Sequence, residues 1–112
     1  MDNEEKARKA YIETLEGINV KENEQIVLEC ETNWCYNFAA DIPGADIKAH
    51  EKVILELKDP QYSYLFARFI LVANIEEHFK VVFNSGSKYW FDYFIKYVNY
   101  KNTKVEEWLL YI

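Results

Sequence analysis

Residues 34–57 (WCYNFAADIPGADIKAHEKVILEL) and 62–85 (YSYLFARFILVANIEEHFKVVFNS) are two versions of one segment. In register, Tyr36 falls on Tyr64, Phe38 on Phe66, Ala39 on Ala67, Ile42 on Ile70, Ile47 on Ile75, His50 on His78 and Val53 on Val81. A period of about 28 residues lies where repeats mean stacked supersecondary units rather than one irregular core. The pattern extends outward with lower fidelity. Upstream, Gly17 falls on Gly44, Val20 on Ile47 and Leu28 on Leu55; downstream, KYWFDYFIKYV (88–98) lies over QYSYLFARFIL (61–71), and VEEWLLYI (105–112) over IEEHFKVV (75–82). Four units, roughly 1–33, 34–61, 62–88 and 89–112, are expected to form a single repeat domain with no residue left for a second one.

Each unit reads as two short helices. Cys35, Phe38, Ala39 and Ile42 stand at i, i+3, i+4 and i+7, which is helical spacing and not the alternation of a strand. Unit four repeats the phase as Trp90, Tyr93, Phe94 and Tyr97, so these four are its expected core. The second helix opens at Asn19, Asp46, Asn74 and Thr103, all capping residue types; Glu22, Glu77 and Glu106 stand three positions on from three of them, the spacing of a reciprocal cap. Asp59-Pro60 starts the first helix of unit three. The expected fold is therefore all-α, a short α-solenoid of four helix-turn-helix repeats and about eight helices.

Charge is uneven along the chain. Residues 1–33 hold nine acids against four bases, whereas residues 89–112 are balanced at three of each and hold nine aromatic side chains between Tyr89 and Tyr111. The net charge of −6 argues against nucleic-acid binding, which wants a basic stripe over the phosphates. The acidic end suits either a solvated face with favourable helix N-terminal charges or a docking site for a basic partner, with Glu4, Glu5, Glu13 and Glu16 the candidates for the second role. The start, MDNEEKARKA, does not read as a secretory signal, and the most apolar run falls far short of a membrane span. Two cysteines without secretory context point to a cytoplasmic protein.

Chemical candidates fall away one at a time. Cys30, Cys35, His50 and His78 are zinc ligand types, but their spacing fits no finger or ribbon. The two histidines occupy equivalent places in successive units and so read as packing or capping residues. Cys35 lies in the core phase of its helix, where a thiol is unreactive. Three unclustered glycines make no phosphate loop, and Ser85-Gly86-Ser87 reads as a turn into a helix cap. No catalytic residue, cofactor or metal is expected, and the chain reads as a non-enzyme.

Departures from the repeat then carry the signal. Leu65 stands where the alignment gives Asn37 and Asp92, Phe69 where it gives Asp41 and Lys96, and Phe79 where it gives Glu24 and Glu51. Polar equivalents imply solvent, so Leu65 and Phe69, one helical turn apart, are expected to form an exposed apolar pair, with local repacking around Leu71-Val72, which replaces Pro43-Gly44, as the alternative; these two and Phe79 are the candidate partner-binding residues. At the other end, Trp108-Leu109-Leu110-Tyr111-Ile112 is apolar, although a terminal repeat needs a polar outer face. Either this segment folds back onto unit four, or Tyr100, Trp108, Leu109 and Tyr111 are sealed by a second copy in a homodimer.

The motifs Asp59-Pro60-Gln61-Tyr62-Ser63-Tyr64-Leu65-Phe66-Ala67 and Ile42-Pro43-Gly44-Ala45-Asp46-Ile47 resemble those of short αα repeats encoded in AT-rich bacterial and phage genomes. That family brings no assigned activity and no catalytic residues. Small stand-alone forms resemble the acidic proteins with which phages and mobile elements block host defence nucleases (anti-CRISPR-like). The resemblance implies a small acidic protein-binding inhibitor, and the acidic end of the chain suits a partner with a basic surface. An immunity or antitoxin protein and a structural homo-oligomer are the other readings.

Overall fold

A computed structural model describes all 112 residues as eight α-helices with no strand. They are α1 (Asn3–Leu15), α2 (Val20–Cys30), α3 (Trp34–Asp41), α4 (Ile47–Leu57), α5 (Pro60–Phe69), α6 (Ile75–Asn84), α7 (Lys88–Tyr97) and α8 (Lys104–Leu109). This is the all-α repeat of eight short helices that the sequence predicts. No helix is long and apolar enough to cross a membrane.

Capping sets the helix starts. The Asp46 carboxylate accepts from the Ala49 amide at 3.2 Å, Asn74 Oδ1 from Glu77 at 3.3 Å, and Thr103 Oγ1 from Val105 at 3.2 Å. Asp59 caps α5 by accepting from the Gln61 amide at 2.9 Å, with Pro60 in the first turn where its missing N–H costs nothing. Ser87 caps α7 through the Trp90 amide at 3.3 Å. Asn19 departs from expectation: its φ is +48°, in the left-handed region, and its side chain makes no capping bond. There it supplies a backbone conformation that asparagine tolerates better than most residues. Glu106 also departs, accepting from the Asn102 amide at 3.3 Å.

Helix ends measure the repeat better than letters do. Ile42, Ile70 and Val98 are the C-caps of α3, α5 and α7; all three are buried and extended, each N–H bonding the carbonyl of Phe38, Phe66 or Phe94. Both series step by 28 residues, and Ala10 and Thr14 occupy the same buried stations in α1. The alignment of 88–98 on 61–71 is therefore one residue out of frame. Of the expected core set, only Phe94 is buried; Trp90 and Tyr93 are half-buried, and Tyr97 is exposed. A tract in which more than half the residues are aromatic matches several frames by letter, and only packing selects one.

The chain divides into two compact units, Met1–Leu57 and Lys58–Ile112, each holding two helix pairs. In the first, α1 packs on α2, α3 on both, and α4 on α2 and α3. Its core is built largely from small side chains, Ala7, Ala10, Cys35 and Ala39, around Val27, Phe38 and Ile54. In the second, α5 packs on α6 and α7, and α6 on α7 and α8. Its core holds Tyr64, Phe79, Val82, Phe94, Val98 and Val105, edged by Trp90, Phe91, Tyr93, Trp108 and Leu109. Both histidines are fully buried packing residues: His50 stacks on Phe38 at 4.9 Å and His78 on Phe66 at 5.1 Å, each within its own repeat.

Candidate protein-binding surface

Glu24 leaves α2 to join its repeat to the next one. One carboxylate oxygen, Oε2, accepts from His50 Nε2 at 2.9 Å and from the Asp46 backbone amide, also at 2.9 Å. It therefore satisfies one of the amides that the N-terminus of α4 leaves free. Burial holds His50 below its ordinary 6.5, with Glu24 pulling the other way. The neutral ring then donates from Nε2, which leaves its buried Nδ1 without a partner.

Phe79 occupies the station of Glu24 two repeats later, and its burial corrects the expectation that it is a partner-binding residue. It is 3% exposed, with ring centroids 5.6 Å from Phe94 and 5.8 Å from Trp108. In the aligned repeats, Trp108 stands where His50 and His78 stand. The Glu–His junction of the first unit is thus a Phe–Trp junction in the second. A polar equivalent failed to mark solvent because Glu24 points at the next repeat of its own unit, and Glu51 is itself buried.

The C-terminal residues also divide. Trp108, Leu109 and Tyr100 pack against the core of their own unit, and Lys80 Nζ lies 5.5 Å from the Trp108 ring centroid. The segment folds back, so these three are not a free self-association face. Tyr111 is exposed, as are Leu110 and Ile112.

Leu65 and Phe69 separate in the same way. Leu65 is half-buried against the core cluster, whereas Phe69 is 57% exposed. Directly after α5, Leu71 is 100% exposed and Val72 70%. In the corrected frame Phe69 matches Asp41 and Tyr97, not Asp41 and Lys96, and Leu65 matches Asn37 and Tyr93. Phe69 and Tyr97 flank one cation: the Arg68 guanidinium carbon lies 4.7 Å from the first ring centroid and 4.5 Å from the second. Nη1 of Arg68 donates to the buried Tyr64 hydroxyl at 2.8 Å, which fixes the fork and leaves its other donors open. Tyr89 and Tyr93, with centroids 4.8 Å apart, continue the aromatic row along α7. Exposed aromatics and arginine are the side chains that recur at the centre of protein interfaces.

The first unit spends the same stations internally. Asp41 accepts a short hydrogen bond from the Tyr11 hydroxyl, and burial with this carboxylate pushes Tyr11 up to about 12. Pro43 and Gly44 make its turn, with Gly44 at φ +78°. Glu4 and Glu5 sit in the exposed first turn of α1, and Glu16 is its C-cap. Glu13 is half-buried and accepts weakly from Asn23 Nδ2 at 3.4 Å. At about 1.5 Å per residue, Glu4 and Glu16 at the two ends of this set lie about 18 Å apart along the helix, so the four form two acidic spots rather than one patch. Burial, helped by the neighbouring Cys30, pushes the Cys35 thiol up to about 12, so the thiolate needed for chemistry is scarce.

Leu71, Val72 and the pairing of Phe69 with Tyr97 were missed at the level of sequence. Their signal, the loss of Pro-Gly from the turn, was visible; the frame of the fourth repeat was not. Comparison with protein-family models, curated proteins and solved structures gives no match.

Proposed function

We propose that this chain is a non-enzymatic protein-binding module that docks its partner through Phe69, Leu71, Val72, Tyr97 and Arg68. The observation that carries the reading is the contrast at equivalent stations. Where the first unit has Asp41, Pro43 and Gly44, the second exposes Phe69, Leu71 and Val72 to water. Fully burying one such side chain contributes about 1.5–3 kcal/mol, which this face withholds from folding and offers to a partner. Within this reading the module is an inhibitor of the kind that phages and mobile elements direct at host defence nucleases. Its net charge of −6 supports that class, and the acidic first unit favours a partner with a basic surface. Free Cys30 and Cys35 thiols suit a cytoplasmic site of action.

Affinity capture from the native host tests this. The double variant Phe69→Glu, Leu71→Glu is expected to keep its helical circular dichroism and lose the partner. Identical capture by wild type and variant would sink the proposed face. A captured toxin rather than a nuclease would move the assignment to an immunity protein. Glu4, Glu5, Glu13 and Glu16 changed together to Gln are expected to slow association and flatten its salt dependence without abolishing the complex.

A further inference from the structure

Two cations stand on the Phe69 face, and the repeat shows that they belong together. Arg68 and Lys96 lie in the last turns of α5 and α7, 28 residues apart, and so fill one station of successive repeats. Each is followed by an exposed ring, Phe69 or Tyr97. The same pair of stations holds Ile12-Glu13 and Ala40-Asp41 in the first unit. The row that carries carboxylates there carries cations beside rings here. Both cations reach one ring: the Arg68 guanidinium carbon lies 4.5 Å and Lys96 Nζ 5.2 Å from the Tyr97 centroid. Neither makes an ion pair. Arg68 gives its hydrogen bond to the Tyr64 hydroxyl, and Asp92, which lines a hollow with Lys96 and Tyr97, is held by Lys88 at 2.7 Å.

We propose, resting on the docking reading above, that the protein segment seated on this face gives a carboxylate to Arg68, flanked by apolar side chains that cover Phe69 and Leu71. A guanidinium presents its donors in one plane and matches the two oxygens of a carboxylate. This one is already held between two rings and by the Tyr64 hydroxyl, so binding orders little that is not ordered beforehand. A carboxylate also relieves the crowding of two like charges at Tyr97, and the rings around it keep water from the pair, as in the centre of a protein interface. Phosphate fits less well: its second charge, repeated at each nucleotide in a nucleic acid, is set against a chain of −6. The demand for an acid is local and sits within a partner surface that is basic overall.

The probes are four Gly-Ser-rich peptides in which Leu residues flank a central Glu, Gln, Lys or phosphoserine. The readout is the pair of side-chain Nε–H resonances from the two arginines of the chain, Arg68 and Arg8, in NMR titrations of the full chain. The Glu peptide is expected to shift Arg68, leave Arg8 in place, and bind about tenfold more tightly than the Gln peptide. Arg68→Gln should remove that preference. Arg68→Lys should keep only part of it, because lysine retains the charge and loses the fork. Circular dichroism checks that both variants fold, and the wild-type ranking of the peptides does not depend on them. Equal binding of the Glu and Gln peptides, tighter binding of the Lys or phosphoserine peptide, a preference that survives Arg68→Gln, or no binding of the Glu peptide would each overturn the inference. Host capture separates this failure from that of the face itself. Capture lost in Phe69→Glu, Leu71→Glu but unchanged in Arg68→Gln would keep the docking face and remove the carboxylate.

Discussion

The two units join their repeats at corresponding stations with opposite chemistry. In Met1–Leu57 a carboxylate on α2 bonds a buried imidazole and a helix N-terminus on α4. In Lys58–Ile112 the matching stations hold Phe79 and Trp108, packed ring against ring. Both solutions satisfy the same geometric need, but they distribute stability differently. A hydrogen bond exchanges water for protein and nets about 0.5–1.5 kcal/mol, whereas an aromatic core contact gains from area, from packing and from ring geometry. The outer stations show the inverse contrast: the polar unit ties Asp41 down with Tyr11, and the apolar unit leaves Phe69, Leu71 and Val72 in water. The unit with the more aromatic core is the one that exposes apolar side chains at these stations.

That comparison predicts an ordered set of effects on stability. Phe79→Ala should be largest, about 3–5 kcal/mol in urea unfolding, because it empties the centre of an aromatic cluster. A loss below about 1 kcal/mol would mean that the Phe–Trp junction contributes little. Glu24→Ala should cost less, about 1–3 kcal/mol, by leaving His50 and the Asp46 amide unpaired. If it matches Phe79→Ala, the contrast between the junctions collapses.

Acid should act on the polar junction. Burial makes folded His50 bind a proton less readily than it does in the unfolded chain. The stability this contributes is fully present above the unfolded value of 6.5 and declines as pH falls through it. Unfolding free energies at pH 7.5 and pH 5.5, compared between wild type and His50→Asn, should show a steeper acid loss in the wild type. A wild-type slope no steeper than the variant's would remove His50 from the account.

Helix capping gives a smaller effect. Asp59→Ala should cost about 1 kcal/mol by freeing the Gln61 amide, whereas Asn19→Gly should be near neutral, since Asn19 makes no capping bond and glycine accepts its positive φ. Equal losses would mean that Asn19 caps after all. Smallest of all, Phe69→Glu with Leu71→Glu should change stability by no more than about 0.5 kcal/mol, the range of exposed sites.

Much of this is legible in the amino-acid sequence. The Phe38/Phe66 and Ile42/Ile70 pairs disclosed the period, and Asp46, Asn74, Thr103 and Asp59 announced helix starts by chemistry that acts within four residues. The site was half legible. Phe69 stood out as a departure, but Phe79 stood out equally and for a misleading reason. A glutamate at an equivalent station means solvent only if nothing polar waits on the next repeat, and in Glu24 something does.

What the sequence determined by itself is whatever depends on near neighbours along the chain: eight helices, the caps at Asp46, Asp59, Asn74 and Thr103, the pairing into repeats and the buried phase of α3 and α5. Packing decided the rest. It chose the frame of α7, where Tyr89, Trp90, Phe91, Tyr93, Phe94 and Tyr97 offer several equally apolar stripes and only one brings Phe94 under Phe79. It drew Trp108 and Leu109 into the core and left Leu110 and Tyr111 outside, a division that a run of five apolar letters does not contain. The physical reason is the same in both cases. Hydrophobic burial is non-directional along the sequence, so which of several apolar residues goes inside is settled by the shape of the surface waiting for it.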